Sequence, residues 1–189
     1  MRVPTVLYDA CVLYPAPLRD LLIQLALDEL FRAKWSNSIH DEWIRNVLKV
    51  RPDLSSQQLD RTRALMNFHV LDALVEGFEK IEKTLDLPDP NDNHVLAAAI
   101  VSSSDMILTF NLKDFPDKIL STYHIKAMHP DDFLMCLLDK GQGSVFQSLK
   151  STRLRLRKPP KSVDEYLEIL DKQGLRNTVK LLNNFKRSL

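Results

Sequence analysis

The sequence predicts an α/β protein: a three-layer α/β/α sandwich around a short parallel sheet, followed by a small helical C-terminal extension. Two observations support this fold class. Short, wholly apolar runs alternate with segments of helical periodicity, which is typical of buried parallel strands that helices cover on both faces. The charge is also divided along the chain, with a net charge of −6 over residues 1–143 and +7 over residues 144–189.

The strands are predicted from compact apolar runs. Residues 3–8 form the first strand and end at Asp9, residues 106–110 form the second, and residues 125–128 form a weaker third. Because helical segments separate them, these strands are expected to run parallel to one another.

Helices are predicted between the strands from apolar residues at intervals of three and four. Pro17 precedes the first of them, and two capping-box patterns, Ser38 with Asp41 and Ser55 with Gln58, begin the next two. The predicted helices of the acidic segment cover residues 18–31, 39–48, 55–68, 75–84, 92–103 and 130–138.

The change in charge coincides with a glycine-rich tripeptide at residues 141–143, which contains half of the chain's 4 glycines. We therefore expect a hinge or linker there, separating a domain of residues 1–143 from a basic helical extension of residues 144–189.

Two short helices are predicted in the extension, at residues 162–170 and 175–185. Ser162 and Glu165 form a capping box at the start of the first, and Gly174 is the expected C-cap between them.

The composition excludes several classes of protein. The hydrophobic fraction of 44% and the net charge of +1 are ordinary for a folded chain, which excludes disorder throughout. Cys11 and Cys136 are the two cysteines, so a disulfide scaffold is excluded and a reducing compartment is indicated. Because there is no long apolar run and no signal-peptide pattern at the start of the sequence, we expect a cytoplasmic protein.

Acidic residues fall where the predicted strands and helices meet one edge of the sheet. Asp9 follows the first strand, and Asn111 and Asp114 follow the strand at 106–110. Asp92 and Glu42 lie in the first turns of their predicted helices, which begin at the same carboxyl edge. Each acid alone has an ordinary explanation as a turn, cap or solvated helix residue. Together they predict a carboxylate cluster.

Such a cluster requires a cation. Two unit charges about 4 Å apart repel each other by about 4 kcal/mol at an effective dielectric constant of 20. Carboxylate oxygens without cysteine or histidine select a hard ion, Mg²⁺ or Mn²⁺, rather than zinc. An ion held in this way suits chemistry at phosphate groups.

Several stretches of the sequence resemble the PIN-domain family, and VapC-type toxin ribonucleases most closely. The resemblance covers about residues 3–139. The stretches that carry it are Tyr-Asp-Ala-Cys-Val-Leu at 8–13, Glu42, Asp-Asn-His-Val-Leu-Ala-Ala-Ala at 92–99 and Thr-Phe-Asn-Leu-Lys-Asp-Phe at 109–115.

The resemblance implies a Mg²⁺- or Mn²⁺-dependent endoribonuclease, the toxin component of a type II toxin–antitoxin system. Its catalytic and metal-binding quartet would be Asp9, Glu42, Asp92 and Asp114. It further implies RNA as the substrate and a cognate VapB-like antitoxin, and the resemblance is also compatible with a homodimer.

Other residues are assigned around this quartet. If the match to the family pattern is shifted by one residue, Asp41 takes the place of Glu42. Asp89 could add a further metal ligand. Thr109 and Asn111 match polar positions that the family places beside the metal. Cys11 is expected to be a small core residue and His94 a neutral residue of helix packing.

The extension carries a run of basic side chains that is a second functional candidate. These residues would bind RNA phosphates, or they would dock on the acidic body or on an acidic antitoxin segment; the sequence leaves both open. The run consists of Lys150, Arg153, Arg155, Arg157, Lys158 and Lys161.

Two other functional classes share features with this sequence. A haloacid-dehalogenase-like phosphatase needs a second aspartate two positions after the first, where this chain has Cys11, so that class is disfavoured. The alternative that remains is a non-catalytic PIN scaffold that binds RNA or protein. No phosphate-binding P-loop or dinucleotide fingerprint occurs in the sequence.

Overall fold

The computed structural model describes residues 2–189 and has one five-stranded parallel sheet with the strand order β3-β2-β1-β4-β5. Helices cover the sheet, so the predicted α/β sandwich is confirmed. The strands are β1 (Thr5–Tyr8), β2 (Arg32–Ser36), β3 (Leu74–Val75), β4 (Met106–Leu108) and β5 (Lys126–Met128).

Ten α-helices and four short 3₁₀ helices are found in residues 2–189. The 3₁₀ helices are Pro90–Asp92, Leu112–Asp114, Ser121–Tyr123 and Asn183–Ser188. The α-helices are α1 (Ala10–Leu13), α2 (Ala16–Leu27), α3 (Asn37–Val50), α4 (Ser56–His69), α5 (Glu79–Glu82), α6 (Asn93–Val101), α7 (Asp117–Leu120), α8 (Pro130–Arg155), α9 (Val163–Lys172) and α10 (Arg176–Leu182).

The centre of the sheet is formed by β1, whose four residues are all buried. Leu7 of β1 lies opposite Lys34 of β2 on one side and Ile107 of β4 on the other. Both neighbours run parallel to β1, so the carboxyl ends of all three strands reach the same edge of the sheet. None of the helices in residues 2–189 combines the length and the apolar character that crossing a membrane requires.

Two strands and one helix differ from the sequence prediction. β2 and β3 were missed because β2 alternates charged and apolar residues and β3 has only two residues. The helix predicted at 75–84 is wrong in its first half, since Val75 ends β3 and α5 is a single turn of four residues.

The start of α3 also differs from the prediction. Its N-cap is Ser36, whose side chain accepts a hydrogen bond from the backbone N–H of Ile39 at 3.2 Å. The capping box predicted for Ser38 and Asp41 is therefore wrong. Because α3 begins at Asn37, Glu42 lies in its second turn rather than its first. The capping boxes predicted at Ser55 and Ser162 are both present.

The glycine-rich tripeptide at 141–143 lies within α8 rather than in a loop. Gly141 has φ −172° and ψ 84°, which kinks the helix, and the helix then continues to Arg155. The division of the chain into two domains at residue 143 stays a prediction. The second half of α8 packs on α2, where the Ser148 hydroxyl donates to the Asp28 carboxylate at 2.5 Å.

The end of the chain is fastened to the start of α8 by Asp131. This carboxylate is 4% exposed and accepts hydrogen bonds from the backbone N–H groups of Asn177 and Thr178, both at 2.8 Å. Both donors belong to the first turn of α10, where the N–H groups have no partner within the helix. Asp131 therefore caps α10 from a distance of more than forty residues in the sequence.

The first prediction concerns this cap. Asp131→Ala should lower the free energy of unfolding by about 2–4 kcal/mol, because it leaves one buried and one partly buried N–H group without an acceptor. Urea unfolding followed by circular dichroism measures the change. Asp132→Ala, which removes an exposed neighbouring carboxylate, is the matched control and should change stability little. Equal stability of the two variants would contradict the capping role.

Candidate active site

The four predicted acidic residues come from four segments that reach the carboxyl edge of the sheet. Asp9 directly follows β1, and Asp114 ends the 3₁₀ helix that follows β4. Asp92 is the last residue of a 3₁₀ helix and the N-cap of α6, so it precedes the first turn of the helix, where it was predicted to lie. Glu42 reaches the same edge from α3, which begins where β2 ends.

Asp9 is the most buried member of the quartet, at 3% exposure. Its Oδ2 atom accepts a hydrogen bond from the Thr109 hydroxyl at 2.7 Å and another from the Cys11 thiol at 3.0 Å. Burial raises the pKa of Asp9, these two donors lower it, and the negative charge of Glu42 raises it again, with a net upward shift. The carboxylate is thus held in one orientation in a place that disfavours its charge.

The two donors to Asp9 are themselves fixed by the backbone that follows β4. The Phe110 N–H donates to the Cys11 sulfur at 3.2 Å, and the Asn111 N–H donates to the Thr109 hydroxyl oxygen at 2.9 Å. Burial and the adjacent Asp9 raise the pKa of the Cys11 thiol well above its usual value, so it stays protonated and can donate.

Cys11 therefore does more than fill the core, which corrects the expectation for this residue. Its thiol forms part of the support of Asp9, and the side chain is only partly buried. The sequence signal was its place two residues after Asp9, which was read as core packing alone.

Asp92 experiences the charges of the other carboxylates. Burial is the largest cause that raises its pKa to about 7, and the negative charges of Asp9, Asp89, Asp114 and Glu42 raise it further. Each of these four carboxylates therefore lies within electrostatic range of Asp92. The structure thus brings together the four residues that the sequence selected, although their roles stay predictions.

The structure distinguishes Glu42 from its neighbour Asp41. Asp41 points toward α4, where Arg63 donates to it at 2.7 Å. Glu42 lies 3.4 Å from the Nε2 atom of His94, a residue of α6. His94 was expected to be a residue of helix packing, and it also contacts the acidic site; its buried Nδ1 atom has no hydrogen-bond partner within residues 2–189.

Asp89 serves the local turn. Its Oδ1 atom accepts hydrogen bonds from the backbone and side-chain nitrogens of Asn91, each at 2.9 Å. Asn111 contributes its backbone N–H to the support of Thr109, as described above. Neither contact requires a metal ion, so a ligand role for Asp89 stays a prediction.

The donor chemistry of the site fits a hard divalent cation. Its charged groups are carboxylates, and after burial the causes that raise the pKa of Asp92 are the negative charges of four other carboxylates. As placed, no group of three or more His, Cys, Asp and Glu side chains among residues 2–189 is arranged to hold a metal ion. Carboxylates without a counter-ion repel one another, so a bound ion would draw them together.

Part of the basic run is used inside the protein. Arg153 donates to the backbone oxygens of Lys161 at 2.9 Å and of the C-terminal Leu189 at 3.1 Å. Arg155 donates to the Gln24 side chain of α2 at 2.6 Å. Arg155 fastens the extension to α2, which favours the docking interpretation for this residue, whereas Arg153 joins segments within the extension. Lys150 and Arg157 are exposed.

Known protein families match the two parts of the chain. Residues 5–113 match the PIN domain family, and residues 130–184 match the family described as VapC50 C-terminal domain. The first match covers more than half of the chain and includes Asp9, Glu42 and Asp92.

A curated relative matches a shorter stretch. The protein named "Putative ribonuclease VapC50", from Mycobacterium tuberculosis, is 58% identical over 48 residues, which are 25% of this chain and 28% of the relative. The chain therefore aligns with less than a third of that protein's length. No solved structure matches the chain.

The second prediction concerns stability and pH in the presence of EDTA. The unfolded chain binds a proton at Asp92 only below a pH of about 3.9, whereas the folded chain keeps it up to a pH of about 7. Because the folded state then binds more protons, its stability falls as the pH rises through this window.

Asp92→Asn removes the cost of ionising this buried carboxyl group in the folded state. The variant should therefore melt at a higher temperature than the unmodified chain at pH 8, and the difference should shrink toward pH 4. Asp171→Asn, on the exposed surface of α9, controls for the substitution itself. A melting temperature of Asp92→Asn that stays below that of the unmodified chain at pH 8 would contradict the account of the charge cluster.

Proposed function

Because the chain belongs to the PIN-domain family, as a VapC-type PIN domain with a C-terminal extension, we propose that it is a divalent-metal-dependent endoribonuclease that hydrolyses RNA phosphodiester bonds. The observation that carries this proposal is that acids from four segments reach one edge of the sheet, where, after burial, the charges of four other carboxylates raise the pKa of Asp92. Such a concentration of negative charge is costly for folding and is explained by the binding of a cation.

The four acids divide into two pairs by their surroundings. Asp9 and Asp92 are the principal ligands proposed for Mg²⁺ or Mn²⁺, since Asp9 is fixed by two donors and Asp92 lies among the other carboxylates. Glu42 and Asp114 are proposed to complete the site from α3 and from the turn after β4. When bound, the ion supplies Lewis-acid stabilisation of the negative charge that develops on the phosphate.

The protein's own groups keep this site in position. Thr109 and Cys11 hold the Asp9 carboxylate, and the backbone N–H groups of Asn111 and Phe110 hold those two side chains in turn. Contacts of this kind keep a ligand oriented before the ion and the substrate arrive, which reduces the reorganisation needed during the reaction. Thr109 and Cys11 are therefore proposed as positioning residues.

The proposed biological setting follows from the family. We propose that the chain is the toxin of a type II toxin–antitoxin system in the cytoplasm, with a VapB-like antitoxin as its partner. The unbalanced negative charge at the site supports binding of a cationic side chain from such a partner. Phe68 and Leu71, which are 73% and 80% exposed at the end of α4, offer apolar surface for a protein partner such as a second copy of the chain.

The third prediction tests the nuclease directly. The chain should cleave single-stranded RNA with Mg²⁺ or Mn²⁺ and not with EDTA, and Asp9→Asn should lower the rate by more than about a hundredfold, since it removes a proposed ligand. The rate of cleavage of labelled total RNA is measured on gels. Cleavage in EDTA would contradict the proposed metal dependence, and no cleavage by the unmodified chain with either ion would support the alternative of a non-catalytic PIN scaffold.

The fourth prediction uses neighbouring acids of α3 as a matched pair. Glu42→Gln should lower the cleavage rate by at least about tenfold, because Glu42 lies beside His94 and couples to Asp9 and Asp92. Asp41→Asn should leave the rate within about twofold, since Asp41 pairs with Arg63 instead. A large loss of cleavage in Asp41→Asn and a small one in Glu42→Gln would show that Asp41, not Glu42, is the acidic residue of the site on α3.

A further inference from the structure

We propose that a cavity between the start of α2 and the C-terminal extension is a binding subsite for single-stranded RNA. One nucleotide of the strand would lie on an apolar floor, with its phosphates against a basic rim. The inference rests on the proposed nuclease function, and it names a place where the substrate is held outside the carboxylate site.

The cavity has the size and lining of a small-molecule pocket. Its volume is about 500 Å³, within the range of sites that enclose a ligand of nucleotide size. The floor is formed by Pro17 of α2 and by Leu156, Pro159, Tyr166 and Ile169 of the extension. An apolar surface can accept the face of a base without requiring a particular sequence.

The floor also includes an unsatisfied polar group. The Tyr166 side chain is 1% exposed, and its hydroxyl has no hydrogen-bond partner within residues 2–189. Burial raises the pKa of Tyr166, and the nearby Thr152 hydroxyl, which also lines the cavity and donates to the Ser148 backbone oxygen, lowers it. Because the Tyr166 hydroxyl is shielded from solvent, Tyr166 contributes the apolar part of its side chain to the floor.

The rim of the cavity attracts anions. Four basic residues of the lining face a single acidic one, Asp20. Arg155 is held by Gln24 and Lys161 by Glu165, whereas Arg157 and Lys158 are exposed at the turn after α8. These last two are free to contact phosphates.

The connection between β1 and β2 places this cavity at the same edge of the sheet as the carboxylates. β1 and β2 are parallel, so α2, which connects them, must run in the opposite direction and begin at the carboxyl edge. Ala16, the first residue of α2, follows Asp9 by seven positions and lies at most about 25 Å from it. An RNA strand of a few nucleotides can therefore reach both places.

The lining favours RNA over an acidic peptide. A peptide needs partners for its own backbone N–H and C=O groups, and two of the lining residues, Pro17 and Pro159, have no N–H to offer. A nucleotide needs apolar surface for its base and cations for its phosphates, which are the two features present. The rest of the chain has a net charge of −6 over residues 1–143, so RNA gains little attraction elsewhere.

The test compares two double variants of the full chain in EDTA, where no cleavage is expected. Arg157→Ala/Lys158→Ala removes two charges from the rim. Arg32→Ala/Lys126→Ala is the matched control, because it removes two exposed charges at the amino ends of β2 and β5, on the opposite edge. Deleting the extension is not suitable, since it would expose buried side chains of the core.

Binding of a short fluorescein-labelled RNA of random sequence is followed by fluorescence anisotropy at several salt concentrations. The rim variant should bind about tenfold more weakly, and the slope of log affinity against log salt should fall by about 1.4, the value for two lost contacts to a single strand. The control should keep the affinity and the slope of the unmodified chain. Thermal melting confirms that both variants are folded.

Equal affinities and slopes for the two double variants would overturn the proposal. A second experiment replaces the RNA by a peptide of equal charge with alternating glutamate and leucine. The proposal would also be overturned if this peptide bound more tightly than RNA and lost that binding only in the rim variant. Cleavage with Mg²⁺ is measured separately. A chain that cleaves RNA but shows no rim effect contradicts this inference alone, and a rim effect without cleavage contradicts the proposed nuclease alone.

Discussion

The parallel pairing of β1 with β4 is the constraint on which the site depends. The pairing places Tyr8 opposite Leu108, so the next residues of the two strands, Asp9 and Thr109, leave the sheet side by side. Thr109 then donates to Asp9, and the backbone beyond β4 fixes both Thr109 and Cys11. Burial and the charge of Glu42 disfavour the ionised form of Asp9, and the neutral donors Thr109 and Cys11 hold its carboxylate in place. The fold thus supplies the orientation and leaves the balancing charge to a ligand.

The extension is joined to the sheet domain by specific polar contacts as well as by apolar packing. Asp131 caps α10, Ser148 donates to Asp28 of the segment after α2, and Arg155 reaches Gln24 within α2. The contacts to Gln24 and Asp28 hold α8 against the second half of α2, and the turn after α8 lies beside the start of α2, where the two line the cavity. The basic extension therefore packs on the acidic domain through α2.

The sequence predicted the fold class, three of the five strands and the residues that gather at the carboxyl edge. Those parts follow from local pattern: β1 and β4 are continuous apolar runs, and their carboxyl ends are marked by Asp9 and Asn111. β2 was missed because Arg32 and Lys34 interrupt its apolar residues, and its stability comes from pairing with β1. The support of Asp9 by Cys11 depends on a contact with a strand about a hundred residues away, which local pattern does not reveal.

The most direct test of the account is the position of a bound ion. Crystals of the protein grown with Mn²⁺ allow the ion to be located by its anomalous scattering. The account predicts a peak about 2.2 Å from carboxylate oxygens of both Asp9 and Asp92, with Glu42 and Asp114 on the same side of the sheet. A peak bound elsewhere on the molecule, with Asp9 and Asp92 free of metal at saturating Mn²⁺, would contradict it.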